Sequence, residues 1–265
     1  MNNLQPIIQP QKTVWAKGQY SKIGSKLVYV SEQLCESIDV VAGAQVLDVA
    51  SGHCNTALAA ARRECIVTAV DNTEELLQQG QKRSESEGLY LNIVQGDAQN
   101  MAFEDGSYDY VLSTFGVQFT QDPQAAADEL TRVCREGGKI GLTNWTPTGF
   151  AEELNKVLAE YMPASNFPSP YLWGTEKGLT EYFSASTKSM AIKNCTFKYR
   201  FPTVSDWFET FSTTYGPIMA LYESLPESSR QDLATSVNKV VKEFNISSDS
   251  SLILPVNYVE VILTR

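Results

Sequence analysis

Short apolar runs alternate with helical patterns from Gln45 onward, and that alternation admits few folds. Val46–Val49, Ile66–Val70, Leu91–Val94, Tyr108–Ser113 and Lys139–Asn144 are of strand length, and most are flanked by Gly or Asp. Helical segments between such runs mark βαβ units and a parallel sheet. The helix ends agree. Asn72 is placed to cap a helix with Glu75 completing a capping-box pair, and Gly88 supplies its left-handed stop. Asp122 followed by Pro123 reads as an N-cap with proline in the first turn, and Gly137–Gly138 ends that element. Ahead of the first strand, Leu27, Val30, Leu34 and Ile38 recur at helical spacing within Ser25–Ile38.

After Trp145 the texture changes. Residues 149–161 look helical, 163–174 are rich in proline and aromatics, and Ala191–Arg200 reads as a strand. Leu233, Val237, Val240, Val241 and Phe244 form one stripe of a helix over 228–244, and Tyr258–Thr264 is a terminal strand. The expected architecture is α/β: a Rossmann-like, mostly parallel seven-stranded sheet with helices on both faces and a largely helical cap. Residues 1–40 supply a polar, mobile lead-in (1–13) and a covering helix, and 41–147 the Rossmann-like core. Residues 148–265 supply the remaining strands, with insertions 148–188 and 202–250 folded over the carboxyl edge. No internal repeat or low-complexity tract appears.

The chemistry is expected at that edge. Val46-Leu47-Asp48-Val49-Ala50-Ser51-Gly52-His53-Cys54-Asn55-Thr56 runs from a strand through a small-residue turn into an Ala-rich helix. Small residues at 50 and 52 let a ligand approach the backbone, and the helix start offers unpaired N–H groups. Asp71 closes the second strand, where a carboxylate can accept both ribose hydroxyl protons, with Asn72 beside it. Asp97 follows the third strand in Gly96-Asp97-Ala98, where a carboxylate and an amide suit an adenine edge. Any one of these acids alone fits a solvated turn or a helix cap. Acids at the ends of three successive strands fit a ligand along the edge of an open α/β sheet. A pyrophosphate is disfavoured, because only Gly52 of a dinucleotide loop is present and Asp48 would repel phosphates; an ammonium group suits it.

On these residues the chain resembles the class I S-adenosylmethionine-dependent methyltransferases. Asp48-x-Ala50-x-Gly52 resembles the family's first motif, Asp71 its ribose-binding acid, and Gly96-Asp97-Ala98 its adenine-binding acid and amide. Phe103-Glu104-Asp105-Gly106-Ser107-Tyr108-Asp109-Tyr110-Val111 is similar to the approach to the fourth strand, and Arg135-Glu136-Gly137-Gly138-Lys139 to the turn into the fifth. The resemblance covers about residues 40–145. It implies S-adenosyl-L-methionine as cofactor, held by Asp48, Ala50, Ser51, Gly52, Asp71, Asn72, Asp97, Ala98, Ser113, Thr114 and Tyr20. It also implies in-line methyl transfer to a small molecule at a pocket near Phe115, Trp145 and Trp15. Tyr171 and Trp173 join that pocket from the aromatic-rich first insertion, which suits an apolar or aromatic acceptor. A general base is optional; His53, the single histidine, is the weak candidate, and packing beside the cofactor is its plainer role. The family commonly has Gly where Cys54 stands and a small residue at His53. Cys54 either crowds the methionine end or, as expected here, turns into the core.

Two other classes share these features: an enzyme using the same cofactor without methylation, such as a cyclase or decarboxylase, and an inactive binding protein. Composition narrows the partners. A net charge of -10 and a pI near 4.7 argue against nucleic acid or an anionic membrane surface. With no long apolar stretch and no secretory pattern, neither a membrane span nor export is expected, so a cytoplasmic location follows. Five cysteines without a C-x-x-C pair read as reduced thiols, and no metal site is expected. Association of copies leaves no readable mark.

Overall fold

The computed structural model describes residues 11–162 and 168–265. Residues 1–10 of the expected lead-in, and Phe167 within the aromatic stretch, lie outside them. Ahead of the sheet come α1 (Gln11–Lys17), α2 (Ser21–Gly24) and α3 (Val28–Ile38). Then follow β1 (Gln45–Val49), α4 (Asn55–Ala61), β2 (Ile66–Asp71), α5 (Glu74–Ser86), β3 (Asn92–Gln95) and β4 (Tyr108–Thr114). The chain continues through α6 (Pro123–Val133), β5 (Cys134–Trp145), α7 (Phe150–Ala159), α8 (Glu176–Phe183) and β6 (Ser189–Phe201). It closes with α9 (Val204–Thr214), α10 (Gly216–Ser224), α11 (Glu227–Glu243) and β7 (Leu252–Thr264).

The seven strands form one sheet in the order β3-β2-β1-β4-β5-β7-β6. β1 to β5 run parallel, and β7 lies antiparallel between β5 and β6. The expected mostly parallel sheet is therefore present. Its inner strands are apolar on both faces, as strands covered on both sides must be. Leu47, Val49, Val111, Ile140, Leu142, Val259 and Val261 pack against Ala126 and Leu130 of α6 and Leu179 and Phe183 of α8. On the opposite face Val46, Val67 and Leu112 meet Cys35 and Ile38 of α3, Ala57 to Ala61 of α4 and Leu77 of α5. A third core gathers Phe150, Trp207, Phe211, Leu233, Val237 and Val241 with the outer halves of β6 and β7.

Several boundaries differ from expectation. The N-cap of α5 is Thr73, not Asn72, and no side chain caps the helix; Asn72 instead accepts the Thr73 hydroxyl at 2.9 Å. Helix α6 is capped as expected, with Asp122 accepting the Ala125 amide. It stops at Val133, before Gly137–Gly138, because the chain turns extended at Cys134 and pairs early with Tyr108. The glycines lie inside β5, where Gly137 takes φ +73 at a register shift against β4. The helix expected over 25–38 begins with a 3₁₀ turn at Ser25–Leu27. β7 starts at Leu252 because its whole length pairs with β6. The insertion after β5 carries α7, a 3₁₀ turn at Pro170–Gly174 and α8; that after β6 carries α9 to α11. Among the described residues no helix is long and apolar enough to cross a membrane.

Glycine 80 in the middle of α5 is required by a neighbour. A Cβ there would lie 2.2 Å from the Cys54 sulfur and 2.9 Å from its Cβ. Cys54 is wholly buried among α4 residues, so it turns into the core and away from the cleft. Gly80→Ala is expected to cost about 1–3 kcal/mol by overpacking, although Ala is the better helix former. Adding Cys54→Gly should recover most of that loss, because it also releases a left-handed cysteine at φ 68. Denaturant unfolding of both single variants and the double variant measures the coupling.

Candidate active site

The turn from β1 into α4 is wound tightly. Ala50, Gly52 and Cys54 all have positive φ, at 51, 53 and 68, so two of these three left-handed positions carry a side chain. Hydrogen bonds from β2 hold the turn: the Ser51 amide donates to the Val70 carbonyl at 3.0 Å, and the Gly52 amide to Asp71 Oδ2 at 2.8 Å. The end of β4 comes close as well, since a Cβ on Gly116 would lie 2.5 Å from the Ala50 carbonyl oxygen. The Thr56 hydroxyl donates to Thr114 at 2.8 Å, and that of Ser113 to the Val49 carbonyl at 2.8 Å. These contacts bring the ends of β1, β2 and β4 around one open cleft with about 940 Å³ of empty space, its mouth included.

Three acids stand along it. Asp48 is 1% exposed; its Oδ2 accepts the Ala57 amide at the start of α4 at 2.8 Å, and its Oδ1 has no partner among the described residues. Burial pushes its carboxyl up to about 8, opposed by that amide and reinforced by Asp71. Asp71 is also raised by burial, and the Thr73 and Gly52 amides temper the shift. Its Oδ1 accepts from Thr73 at 2.8 Å, so each of its oxygens holds a backbone amide and keeps lone pairs in reserve. Asp97 is exposed at the far end, its Oδ1 taking the Gln99 amide at 2.9 Å, while Ala98 beside it is buried.

The first two helices lie over the turn. Tyr20 meets the His53 ring edge-on at 5.5 Å, and Gly24 leaves room for that imidazole, since a Cβ there would lie 2.2 Å from His53 Cε1. Asn55 Nδ2 donates to the Gly24 carbonyl at 2.7 Å, and Arg83 donates to the His53 carbonyl at 2.6 Å and to Asn55 Oδ1 at 2.9 Å. Burial, with Arg83 adding to it, pushes His53 down to about 3, so it is neutral and a poor proton acceptor. Trp15 of α1 reaches the cleft and meets Tyr20, Phe119 and Tyr215 edge-on at 5.6, 5.3 and 5.4 Å.

Of the residues expected at the site, Asp48, Ala50, Ser51, Gly52, His53, Asp71, Asn72, Asp97, Ala98, Thr114, Phe115, Trp15 and Tyr20 line this cleft. Four do not. Ser113 is wholly buried, spending its hydroxyl on Val49 and the Val117 amide. Trp145 sits behind Phe115, stacked at 3.7 Å and 4°. Trp173 is 1% exposed in the core with Tyr182 and Phe183, because the turn carrying it packs its Gly174 directly on Trp145 and Thr146. Tyr171, in the same turn, is not part of the cleft lining. Asn55, Thr56, Thr73, Gln99 and Phe119 line it without having been singled out. Asn55 and Thr56 open the helix after the small-residue turn, and Gln99 follows Asp97 at the two-residue spacing of an Asx turn, so those signals were present in the sequence. Phe119 sits in a 3₁₀ turn with no periodic mark. Among the described residues no group of three or more His, Cys, Asp or Glu is placed to hold a metal ion.

A doubly wound sheet with β7 turned antiparallel, and acids at the ends of its first three strands, defines a Rossmann-like protein of the methyltransferase type. Comparison with known proteins agrees. A family described as methyltransferase domain matches residues 47–142. The uncharacterized protein Rv1405c of Mycobacterium tuberculosis is 33% identical over 228 residues, covering 84% of this chain and 83% of that protein. A demethylmenaquinone methyltransferase of Streptomyces avermitilis is 28% identical over 181 residues, 62% of this chain and 77% of that one. The crystal structure of a putative methyltransferase from Bacillus halodurans superposes with a TM-score of 0.62 at 20% identity, covering 88% of this chain and 97% of that one. The chain belongs to the class I S-adenosylmethionine-dependent methyltransferases and is an enzyme of that family.

The buried acid has a cost that pH exposes. Unfolded, Asp48 titrates near 4, about four units below its folded value. Its contribution to stability is therefore full below about pH 4 and is lost as the pH rises towards 8. His53 acts oppositely, its contribution being present above about pH 6.5 and lost as the pH falls towards 3. Asp48→Asn should raise the melting temperature of the ligand-free protein at pH 8 and leave it nearly unchanged at pH 4.5. Equal shifts at both values would contradict the buried-charge account.

Proposed function

We propose that the cleft holds S-adenosyl-L-methionine and that the enzyme methylates a small, apolar or aromatic molecule. The observation carrying this reading is Asp48 Oδ1, a buried carboxyl oxygen on the cleft wall without a partner among the described residues. Burial keeps this carboxyl protonated near neutral pH, and a cation beside Oδ1 would favour its ionised form; the amino acid part of this cofactor supplies an ammonium group. A pyrophosphate beside that oxygen would instead oppose that ionisation. Asp71 has lone pairs for two ribose hydroxyls, and Asp97 with the Ala98 amide suits the adenine edge. Each of these donors and acceptors matches a part of the cofactor, so the residues fit the group.

When bound, the cofactor supplies a methyl group on a sulfonium together with its own leaving group. The protein's task is then alignment and exclusion of water. Phe115 is held for that task in a left-handed conformation at φ 53, fixed by the stacked Trp145 and by the edge of Tyr258 at 5.6 Å. With Trp15, Tyr20 and Phe119 it gives the cleft an aromatic end, and an apolar acceptor fits there. His53 acts as a positioning residue, seating α2 on the turn, and not as a base. Residues 11–40 and the insertion 202–250, whose Tyr215 meets Trp15 at 5.4 Å, form the cover over the core 41–147 that selects the acceptor.

Calorimetric titration tests this reading. Micromolar binding of S-adenosylmethionine or S-adenosylhomocysteine, about -8 kcal/mol, is expected, with none of NAD or NADP. Asp71→Ala should weaken that binding by about 1.5–3 kcal/mol, roughly ten- to a hundred-fold. Unchanged affinity would remove Asp71 from the site, and binding of a dinucleotide alone would overturn the cofactor.

A further inference from the structure

Phe115 closes the aromatic end of the cleft with Trp145 stacked flat behind it, and one buried side chain that holds this pair has no role above. Regular pairing of β4 with β5 runs to Thr114 and Thr143, and the Phe115 amide still donates to the Thr143 carbonyl at 2.9 Å. In a parallel ladder the next bond would run from the Trp145 amide to the Phe115 carbonyl. The chain turns left-handed at Phe115 instead, at φ 53. Gln118 takes over: its Oε1 accepts the Trp145 amide at 2.9 Å, as a carbonyl of a continuing β4 would have done.

Gln118 is fixed for that part. It is 2% exposed and lies in the 3₁₀ turn Val117–Phe119, whose neighbours Gly116 and Thr120 line the cleft together with Phe119. The Ser113 hydroxyl accepts the Val117 amide at 3.2 Å and anchors the turn. Gly174 packs against the Trp145 carbonyl, where a Cβ would lie 2.1 Å from the oxygen. The backbone of Trp145 is therefore held at both its polar groups, by Gln118 at the amide and by Gly174 at the carbonyl. Its indole lies parallel to the Phe115 ring, at 3.7 Å and 4°. Gln118 Nε2, by contrast, is buried without a partner among the described residues, so the oxygen is the half of the amide that this arrangement uses.

We propose that Gln118 is a positioning residue for the acceptor: through the Trp145 amide it holds the Trp145–Phe115 stack in place, and so sets the face on which a planar apolar acceptor lies. This rests on the reading of the cleft as the S-adenosylmethionine site with the acceptor at its aromatic end. Gln118 is not part of the cleft lining and acts only through Trp145. A face already rigid loses less freedom when a ligand settles on it.

The test uses the full chain saturated with S-adenosylhomocysteine, with naphthalene as the acceptor-end probe. NMR follows labelled phenylalanine rings and tryptophan amides, assigned from Phe115→Leu and Trp145→Phe, at about pH 6, where a buried carboxyl stays neutral. In the wild type naphthalene should shift the Phe115 ring signals and slow solvent exchange of the Trp145 amide. Gln118→Met keeps the length and loses the acceptor. It should move the Phe115 ring protons out of the upfield position that a parallel stack imposes, and weaken naphthalene binding roughly tenfold while S-adenosylhomocysteine affinity holds. Gln118→Glu keeps the oxygen and gives up only the unpaired Nε2, so it should restore both readings. Phe115 signals and naphthalene affinity unmoved in Gln118→Met, a Gln118→Glu variant no better than Gln118→Met, or equal losses of naphthalene and S-adenosylhomocysteine affinity would each overturn the proposal. Should Gln118→Met fail to fold, the wild type decides: a Trp145 amide protected by naphthalene supports the proposal, and one left unprotected overturns it. If S-adenosylhomocysteine binds and these effects are missing, this inference fails alone. If it does not bind at all, the cofactor reading fails, and this inference with it.

Discussion

The hydrogen bond from the Gly52 amide to the Asp71 carboxylate ties the turn after β1 to the end of β2, and the geometry of the whole carboxyl edge hangs from it. The turn is not a low-energy shape, because Ala50 and Cys54 are left-handed without being glycine. It persists because its amides are taken up by β2, because Asp48 anchors the start of α4, and because Gly116 lets β4 close in. The other oxygen of Asp71 orders the start of the next connection through Thr73. One side chain thereby sets two consecutive loops, and its remaining lone pairs face the space between them.

Burial gives the site its chemistry and its cost together. Asp48 is 1% exposed with Oδ1 unpartnered among the described residues, and burial favours its protonated form up to about pH 8. The same enclosure keeps His53 neutral, so the imidazole seats α2 by shape and ring contact without bringing a second positive charge near Arg83. The cleft is thus preorganised at the expense of the empty protein's stability, as binding sites commonly are. The N-terminal helices complete it from outside: α1 also touches α10, where Gly18 and Gly216 let the backbones approach. The cleft and the second insertion consequently share a wall.

Much of this was legible in the sequence because parallel strands are local signals. The five runs before Trp145 fall on β1 to β5, and the acids at 48, 71 and 97 fall on one cleft because strand ends share an edge whatever the details of packing. What was not legible depends on partners distant in sequence. The stop of α6 is set by pairing of Cys134 with Tyr108, which overrides the Gly137–Gly138 signal. Trp173 and Tyr171 carry the composition of a pocket, and only the docking of Gly174 on β5 shows that Trp173 is core. Trp145 was placed one layer too far forward, since the left-handed backbone at Phe115, invisible in the sequence, puts the phenyl ring over it. Cys54 fits a glycine's place only because residue 80 has no side chain, a compensation 26 positions away in the chain.

The sheet ends on β6, a thirteen-residue strand with β7 on one side, so a hydrogen-bonding rim roughly 40 Å long is left on the other. A flat apolar rim of that length would template the addition of strands from other molecules. Lys193, Lys198 and Arg200 interrupt it with like charges, so two such rims repel when aligned. Edge-to-edge growth into fibrils is thereby disfavoured, and the long β6–β7 ribbon that closes the sheet does so without making the molecule prone to aggregate along it.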